Sequence, residues 1–312
     1  MSDSISLGPG QEFDVIRDLV RRWGTAARGI GDDAAVLDIP AGSRLVASTD
    51  ATVENVHFRR EWLGPAEIGY RAAAAALSDL AAMAATPAGL LLALGVPPAW
   101  RGELDALALG VGEVAAASAC PIIGGNVSRA GELSLTITVL GTSRHPLERS
   151  GARAGDVLYV TGTLGGPGAA LDALLRDATP RDIDRARFAA PQPRIAAARW
   201  LAERGARAAI DLSDGLVADA GHLAAASDVR VVLDLGAMPC VDGIAPESAA
   251  SSGEEYELLV AFPAETRLDT NEFRTRFGIP LTAVGHVTTG RGVSLEARGE
   301  RVDLTRGHDH LS

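Results

Sequence analysis

The stretch at residues 71–96, RAAAAALSDLAAMAATPAGLLLALGV, constrains the fold more than any other part of the chain. It is too apolar to lie on a surface, yet Asp79 and Pro87 interrupt it. A membrane-spanning helix needs about 20 unbroken apolar residues. The stretch therefore reads as a buried core helix followed by a strand. The same reading leaves one carboxylate inside an alanine-rich helix, where an isolated ionised acid is costly to bury.

That oddity recurs wherever an apolar run meets a loop. Asp32 and Asp33 sit in GIGDDAAVLD, Asp50 ends RLVASTD, and Asp211 and Asp214 flank the turn in AAIDLSDGL. Glu254, Glu255 and Glu257 lie in SSGEEYELL, just before another apolar run. Ser48, Thr49 and Ser213 add hydroxyls beside them. Oxygen-only sets of this kind suit Mg²⁺, which keeps several waters and is shared with substrate phosphates. The six histidines are too scattered for a zinc site. Plainer readings stand beside this one: Asp214 as the N-cap of a helix starting at Leu216, and Asp50 as an Asx-turn residue. For Asp79 the plain reading is a solvated surface acid, which an apolar helix face makes harder to sustain.

Hydrophobic periodicity gives helices at residues 11–23, 68–85, 103–118, 194–204 and 216–226. Strands are expected at 35–37, 44–48, 89–96, 121–124, 133–140, 156–161, 208–212, 258–262, 282–287 and 293–296. The polar segment 142–155, TSRHPLERSGARAG, marks a boundary. It divides the chain into domains at 1–146 and 147–312. Both read as mixed α/β or α+β domains with helices layered on a sheet. The turn TGTLGGPGAA lacks a clean G-x-G-x-x-G and is expected to approach a neighbouring backbone or a phosphate rather than a nicotinamide cofactor.

Composition then excludes whole classes. With 312 residues and 47 % hydrophobic content the chain can bury a large core, and a net charge of −11 argues against nucleic-acid or anionic-membrane partners. All 29 basic residues are arginines. Without lysine there is no Walker A loop and no Schiff-base chemistry. Two distant cysteines, Cys120 and Cys240, and a beginning without a basic and apolar leader fit a cytoplasmic protein.

The segments GIGDDAAVL, STDATVENVHF, LSDLAAM, IIGGNVSR, RSGARAGD, AIDLSDGLVADAGHL and SGEEYELL, in this order, resemble the thiamine-monophosphate kinases. These belong to the aminoimidazole-ribotide synthetase-like superfamily of ATP-using enzymes, and the likeness runs from about residue 11 to 309. It implies an N-terminal α/β domain, residues 1–146, that binds ATP and Mg²⁺ and pairs its sheet with its twin in a homodimer. A C-terminal α+β domain, residues 147–312, would fold over the cleft. The implied reaction turns ATP and thiamine monophosphate into ADP and thiamine diphosphate with several Mg²⁺ ions.

The motif match implies Asp33, Ser48, Thr49, Asp50, Asp79, Asn126, Asp211 and Asp214 as metal ligands, with Asp50, Asp79 and Asp214 central to catalysis. It implies ATP contacts at Thr49, Gly125, Asn126, Arg149 and Ser213, and acceptor contacts at His57, Glu254 and His308. The chain departs from the family pattern at three of these motifs. Asn126 stands for an Asp and should weaken one Mg²⁺; Glu255 stands for an Asp; His308 stands for a Tyr expected to pack on the thiamine. Two other functions stay open at this stage: an ATP-dependent enzyme of the superfamily with another acceptor, or a nucleotide-binding homologue without turnover. The end His310-Leu311-Ser312 lacks the C-terminal Cys of the hydrogenase-maturation branch.

Overall fold

The computed structural model describes residues 11–31, 33–297 and 299–302. The chain divides into two compact units, Met1–Leu80 with Ala85–His145, and Ala81–Ala84 with Pro146–Ser312.

The first unit contains α1 (Gln11–Trp23), β1 (Arg44–Val53), most of α2 (Pro65–Ala82), β2 (Thr86–Val96), α3 (Leu104–Ala117), β3 (Ile122–Arg129) and β4 (Ser134–Ser143). The expected core helix and strand are thus α2 and β2. The sheet runs β1-β4-β2-β3. β4 is antiparallel to both of its neighbours, and β2 runs parallel to β3. A parallel pair needs a long crossover, and α3 supplies it.

The pleat sorts this sheet into two faces. Leu90, Leu92, Leu94, Leu135, Ile137 and Val139 are buried on one. Thr136 and Thr138 alternate with them onto the other. Three strand expectations need revision here, one being 121–124, which continues as β3 to Arg129 because β2 pairs with it that far. Residues 35–37 form no strand, and Val36 is 93 % exposed, because this short apolar run has no partner to pair with. β1 continues past residue 48 to Val53, since all ten of its residues pair with β4 although half of them are polar.

The second unit contains β5 (Val157–Thr161), α4 (Gly166–Leu175), α5 (Asp182–Ala189), α6 (Ile195–Glu203), β6 (Ala208–Asp211), α7 (Leu216–Ser227) and β7 (Arg230–Asp234). It continues with α8 (Pro246–Ser251), β8 (Leu258–Phe262), α9 (Thr270–Phe277), β9 (Leu281–Thr288), β10 (Gly292–Ala297) and β11 (Glu300–Val302). Its seven-stranded sheet has the order β11-β10-β7-β9-β5-β8-β6. β6 and β8 are buried along their whole length. The apolar stripe of α7, with Leu216, Ala220, Leu223 and Ala224, belongs to the same core as Leu158, Ile210 and Leu259. No described helix is long and apolar enough to cross a membrane.

Candidate active site

In the first unit the strand pleat divides the expected ligands. Ser48 and Asp50 lie two residues apart on β1, opposite Val139 and Ile137 and so on the buried face. The Ser48 hydroxyl donates to the Asp79 carboxylate of α2. The acid inside the alanine-rich helix therefore meets β1 at Ser48, and Asp50, two residues on, shares that strand face; all three are half-buried. Thr49 points to the other face, where its hydroxyl lies 3.0 Å from that of Thr138.

Thr138 lines a cavity of about 910 Å³, together with Asp33, Gly125 and Asn126. Gly125 is needed there for close packing: a Cβ would stand 1.9 Å from the Leu92 carbonyl oxygen. No side chain fits that approach of β3 to β2. His57 folds back on the end of β1, its Nδ1 accepting from the Val53 amide at 3.1 Å. An accepting Nδ1 carries no proton, so the neutral ring holds its proton on Nε2. Glu54 of the same motif is structural, its Oε2 accepting from Trp100 Nε1 and the Leu133 amide.

In the second unit the turn between β6 and α7 gathers Asp211, Ser213 and Asp214. Asp211 is 5 % exposed and ends β6. Gly215, at φ +109, occupies the N-cap of α7 and has no capping side chain, so Asp214 is not the cap. Asp219 takes that role from within the helix. Its Oδ2 accepts from the amides of Asp214 and Gly215, both at 3.1 Å. Burial, then the charges of Asp214 and Asp211, push the Asp219 carboxyl up to about 8. Ligand atoms of Asp214, Asp219 and His222 lie within 4.8 Å of one another.

The far end of α7 holds another expected nucleotide contact. Ser227 donates to the Arg149 carbonyl at 2.6 Å and accepts from the Ala152 amide. The Arg149 side chain is exposed.

The glutamate motif is zipped to the same turn. The amides of Glu254 and Tyr256 donate to Ser213 and Leu212 carbonyls at 2.7 and 2.8 Å. Glu254 and Tyr256 adopt left-handed φ of 66° and 51°, and the Tyr256 hydroxyl donates to Glu254 Oε2 at 2.9 Å. Such strain persists only where surroundings over-determine it. Glu255 is the anchor: buried, it accepts from the Gly165 amide and the Ser252 hydroxyl and pairs with Arg187. Burial above all pushes its carboxyl up to about 7. Glu257 is held by Arg194 and Thr161. The glycine-rich turn therefore meets a carboxylate: the Gly165 amide at the start of α4 goes to Glu255.

Of the expected residues, then, Ser48 and Asp79 come together with Asp50 on the same face of β1, Asp33, Gly125 and Asn126 share a cavity, and Asp211, Ser213 and Asp214 share a turn to which Glu254 is hydrogen-bonded. Asp32 and His308 lie outside the described residues. Asp219 was missed. Its signal was its place three residues after Leu216, on the stripe of α7 that the apolar spacing buries. The donor sets fit Mg²⁺ on this geometry, because apart from the exposed His222 they are all oxygen and because three acidic side chains crowd one half-buried turn, where a cation would offset their repulsion.

Residues 31–143 match the N-terminal domain family of AIR synthase related proteins, and residues 153–298 match the C-terminal domain family. The chain is 38 % identical over 301 residues to the thiamine-monophosphate kinase of Escherichia coli strain K12, covering 91 % of this chain and 92 % of the relative. The crystal structure of thiamine-monophosphate kinase from Stenotrophomonas maltophilia K279a superposes with a TM-score of 0.82 at 34 % identity, over 96 % of this chain and 99 % of that one. AaThiL complexed with AMPPCP and TMP superposes with a TM-score of 0.76 at 28 % identity, over 98 % and 99 %. With its two AIR synthase related domains, the chain belongs to the thiamine-monophosphate kinase family.

Proposed function

We propose that this protein transfers the γ-phosphoryl group of ATP to the phosphate of thiamine monophosphate, giving ADP and thiamine diphosphate. The observation that carries the reading is the closeness of Asp214 and Asp219, whose ligand atoms lie within 4.8 Å, on the turn that follows Asp211, in a chain of this family. Carboxylates placed so close call for bound cations. Asp211 and Asp214 would hold Mg²⁺ there, and the charge it supplies would offset the negative charge that develops during transfer.

In the first unit we assign Ser48, Thr49, Asp50, Asp79, Asp33 and Asn126 as Mg²⁺ ligands, Thr49, Gly125 and Asn126 as ATP contacts, and His57 as an acceptor contact. In the second we assign Asp211 and Asp214 to Mg²⁺, Ser213 and Arg149 to ATP, and Glu254 to the acceptor. Asp50, Asp79 and Asp214 are the residues on which turnover depends. The bond that breaks joins the γ-phosphorus to its bridging oxygen; the bond that forms joins that phosphorus to an oxygen of the acceptor phosphate. That oxygen is largely ionised at neutral pH, its second pKa being about 6. No side chain has to act as base. The work of the protein is to hold two anions in line, which Arg149 and the metal ligands do by charge and position. Lysine is dispensable for this.

We further propose a homodimer formed through the first unit. β1 is an edge strand of its sheet, with Leu45 54 % exposed, and a free edge of that kind invites a partner strand. A cytoplasmic location accords with the free thiols of Cys120 and Cys240.

Mass-spectrometric screening of phosphoryl acceptors, with purified protein, ATP and Mg²⁺, tests the reading. Thiamine monophosphate is expected to gain one phosphoryl group. Phosphorylation of a different metabolite, with thiamine monophosphate untouched, overturns the assignment of the acceptor.

A further inference from the structure

We infer that Asp219 is the positioning residue of the metal-binding turn in the second unit: its accepting carboxyl oxygen fixes the backbone from which Asp211 and Asp214 present their oxygens. This rests on the proposed Mg²⁺ role of those two residues. Asp219 is 2 % exposed and lies in the first turn of α7. A helix start leaves amides without partners, and Gly215 at the N-cap has no side chain to serve them. One atom, Asp219 Oδ2, serves both the Asp214 and Gly215 amides.

The turn has little freedom otherwise. Gly215 has φ +109, and a Cβ on it would come within 3.0 Å of the Ser251 carbonyl. On the other side, the Ser213 carbonyl is engaged by the Glu254 amide. Loss of the Asp219 acceptor would leave two amides without it and release the segment that carries Asp214.

A positioning role and a ligand role predict different things. Positioning needs an accepting oxygen, which asparagine keeps. Ligation needs charge, which asparagine loses. Mn²⁺ titration of the full chain, followed by electron paramagnetic resonance without nucleotide or acceptor, separates them. Asp219→Asn should bind Mn²⁺ within about threefold of the unsubstituted protein, and Asp219→Ala about tenfold or more weakly, the range seen when a supporting partner of a ligand is removed. Circular dichroism spectra should stay unchanged. If Asp219→Ala does not fold, Asp219→Ser, too short to reach both amides, takes its place with the same expectation.

The inference fails if Asp219→Asn loses as much affinity as Asp214→Asn, which would make Asp219 a ligand. It also fails if removing the carboxyl changes nothing, or if the unsubstituted protein binds no Mn²⁺. The readout is independent of the reaction. A protein that binds Mn²⁺ in this pattern but makes no thiamine diphosphate refutes the proposed function and leaves the role of Asp219 standing.

Discussion

In the first unit the candidate ligands hang on an open sheet, with Thr49, Asn126 and Asp33 exposed, Asp79 accepting from the Ser48 hydroxyl and Thr49 beside the Thr138 hydroxyl. In the second unit Asp211 is buried, Asp214 stands on a backbone fixed by Asp219, and Glu254 is fixed by Tyr256 and by the Ser213 carbonyl. The difference lies in where organisation comes from. Exposed oxygens remain hydrated until a ligand orders them, so the proposed Mg²⁺ ligands of the first unit would depend on cation charge. The second is organised by hydrogen bonds already made, and these hold Asp211, Asp214 and Asp219 close enough for the proposed cation to offset their repulsion.

The largest expected effect is on the first unit. Asp79→Asn should lower ADP formation by roughly a hundredfold or more, comparable to removing a group that stabilises transition-state charge. The thermal midpoint should stay close to that of the unsubstituted protein, because the amide still accepts from Ser48. Near-normal turnover would remove Asp79 from the metal group. Next comes Asp214→Asn, which should weaken Mn²⁺ binding by about ten- to a hundredfold. Its circular dichroism should be unaltered, since the Asp219 bonds go to backbone amides. A folded variant with unchanged affinity would mean that the prebuilt turn holds no metal.

A smaller gain is expected from Asn126→Asp. It adds a carboxylate to an exposed position on the cavity, where a charge pair contributes about 1 kcal/mol at most. Half-saturation for Mg²⁺ should fall by up to about fivefold. An unchanged Mg²⁺ requirement would separate this cavity from the metals.

The smallest effect is on stability against pH. The Glu255 carboxyl is raised in the folded protein from 4.5 to about 7, chiefly by burial. Folding is therefore favoured by its protonated form. That contribution is complete below about pH 4.5 and is lost as pH rises through about 7. Glu255→Gln should flatten the fall in thermal midpoint between these values, and an unchanged slope would show that Arg187 already compensates the charge.

Much of this was legible in the sequence, for identifiable reasons. α1 and β8 follow strong periodicity or an unbroken apolar run, and both match their expected bounds. Asp79 announced itself by being charged among alanines. Other features depend on partners distant in the chain. The polar half of β1 is a strand only because β4 pairs with it, and residues 35–37 are not one because nothing does. β7, RVVLD, is three apolar residues between charges, too short to be distinctive until β9 and β10 flank it. The division of Ser48 and Asp50 from Thr49 follows from the pleat once the strand is known. The anchoring of the glycine-rich turn by Glu255 joins residues 90 positions apart, and no local pattern encodes it.

The central claim is that one phosphoryl group passes from ATP to thiamine monophosphate. Phosphorus-31 magnetic resonance of a single sample containing the protein, ATP, thiamine monophosphate and Mg²⁺ measures it directly. We predict that the ATP and thiamine monophosphate signals decline together while ADP and thiamine diphosphate rise in equal amounts. ADP appearing with inorganic phosphate, and thiamine monophosphate unchanged, would contradict it.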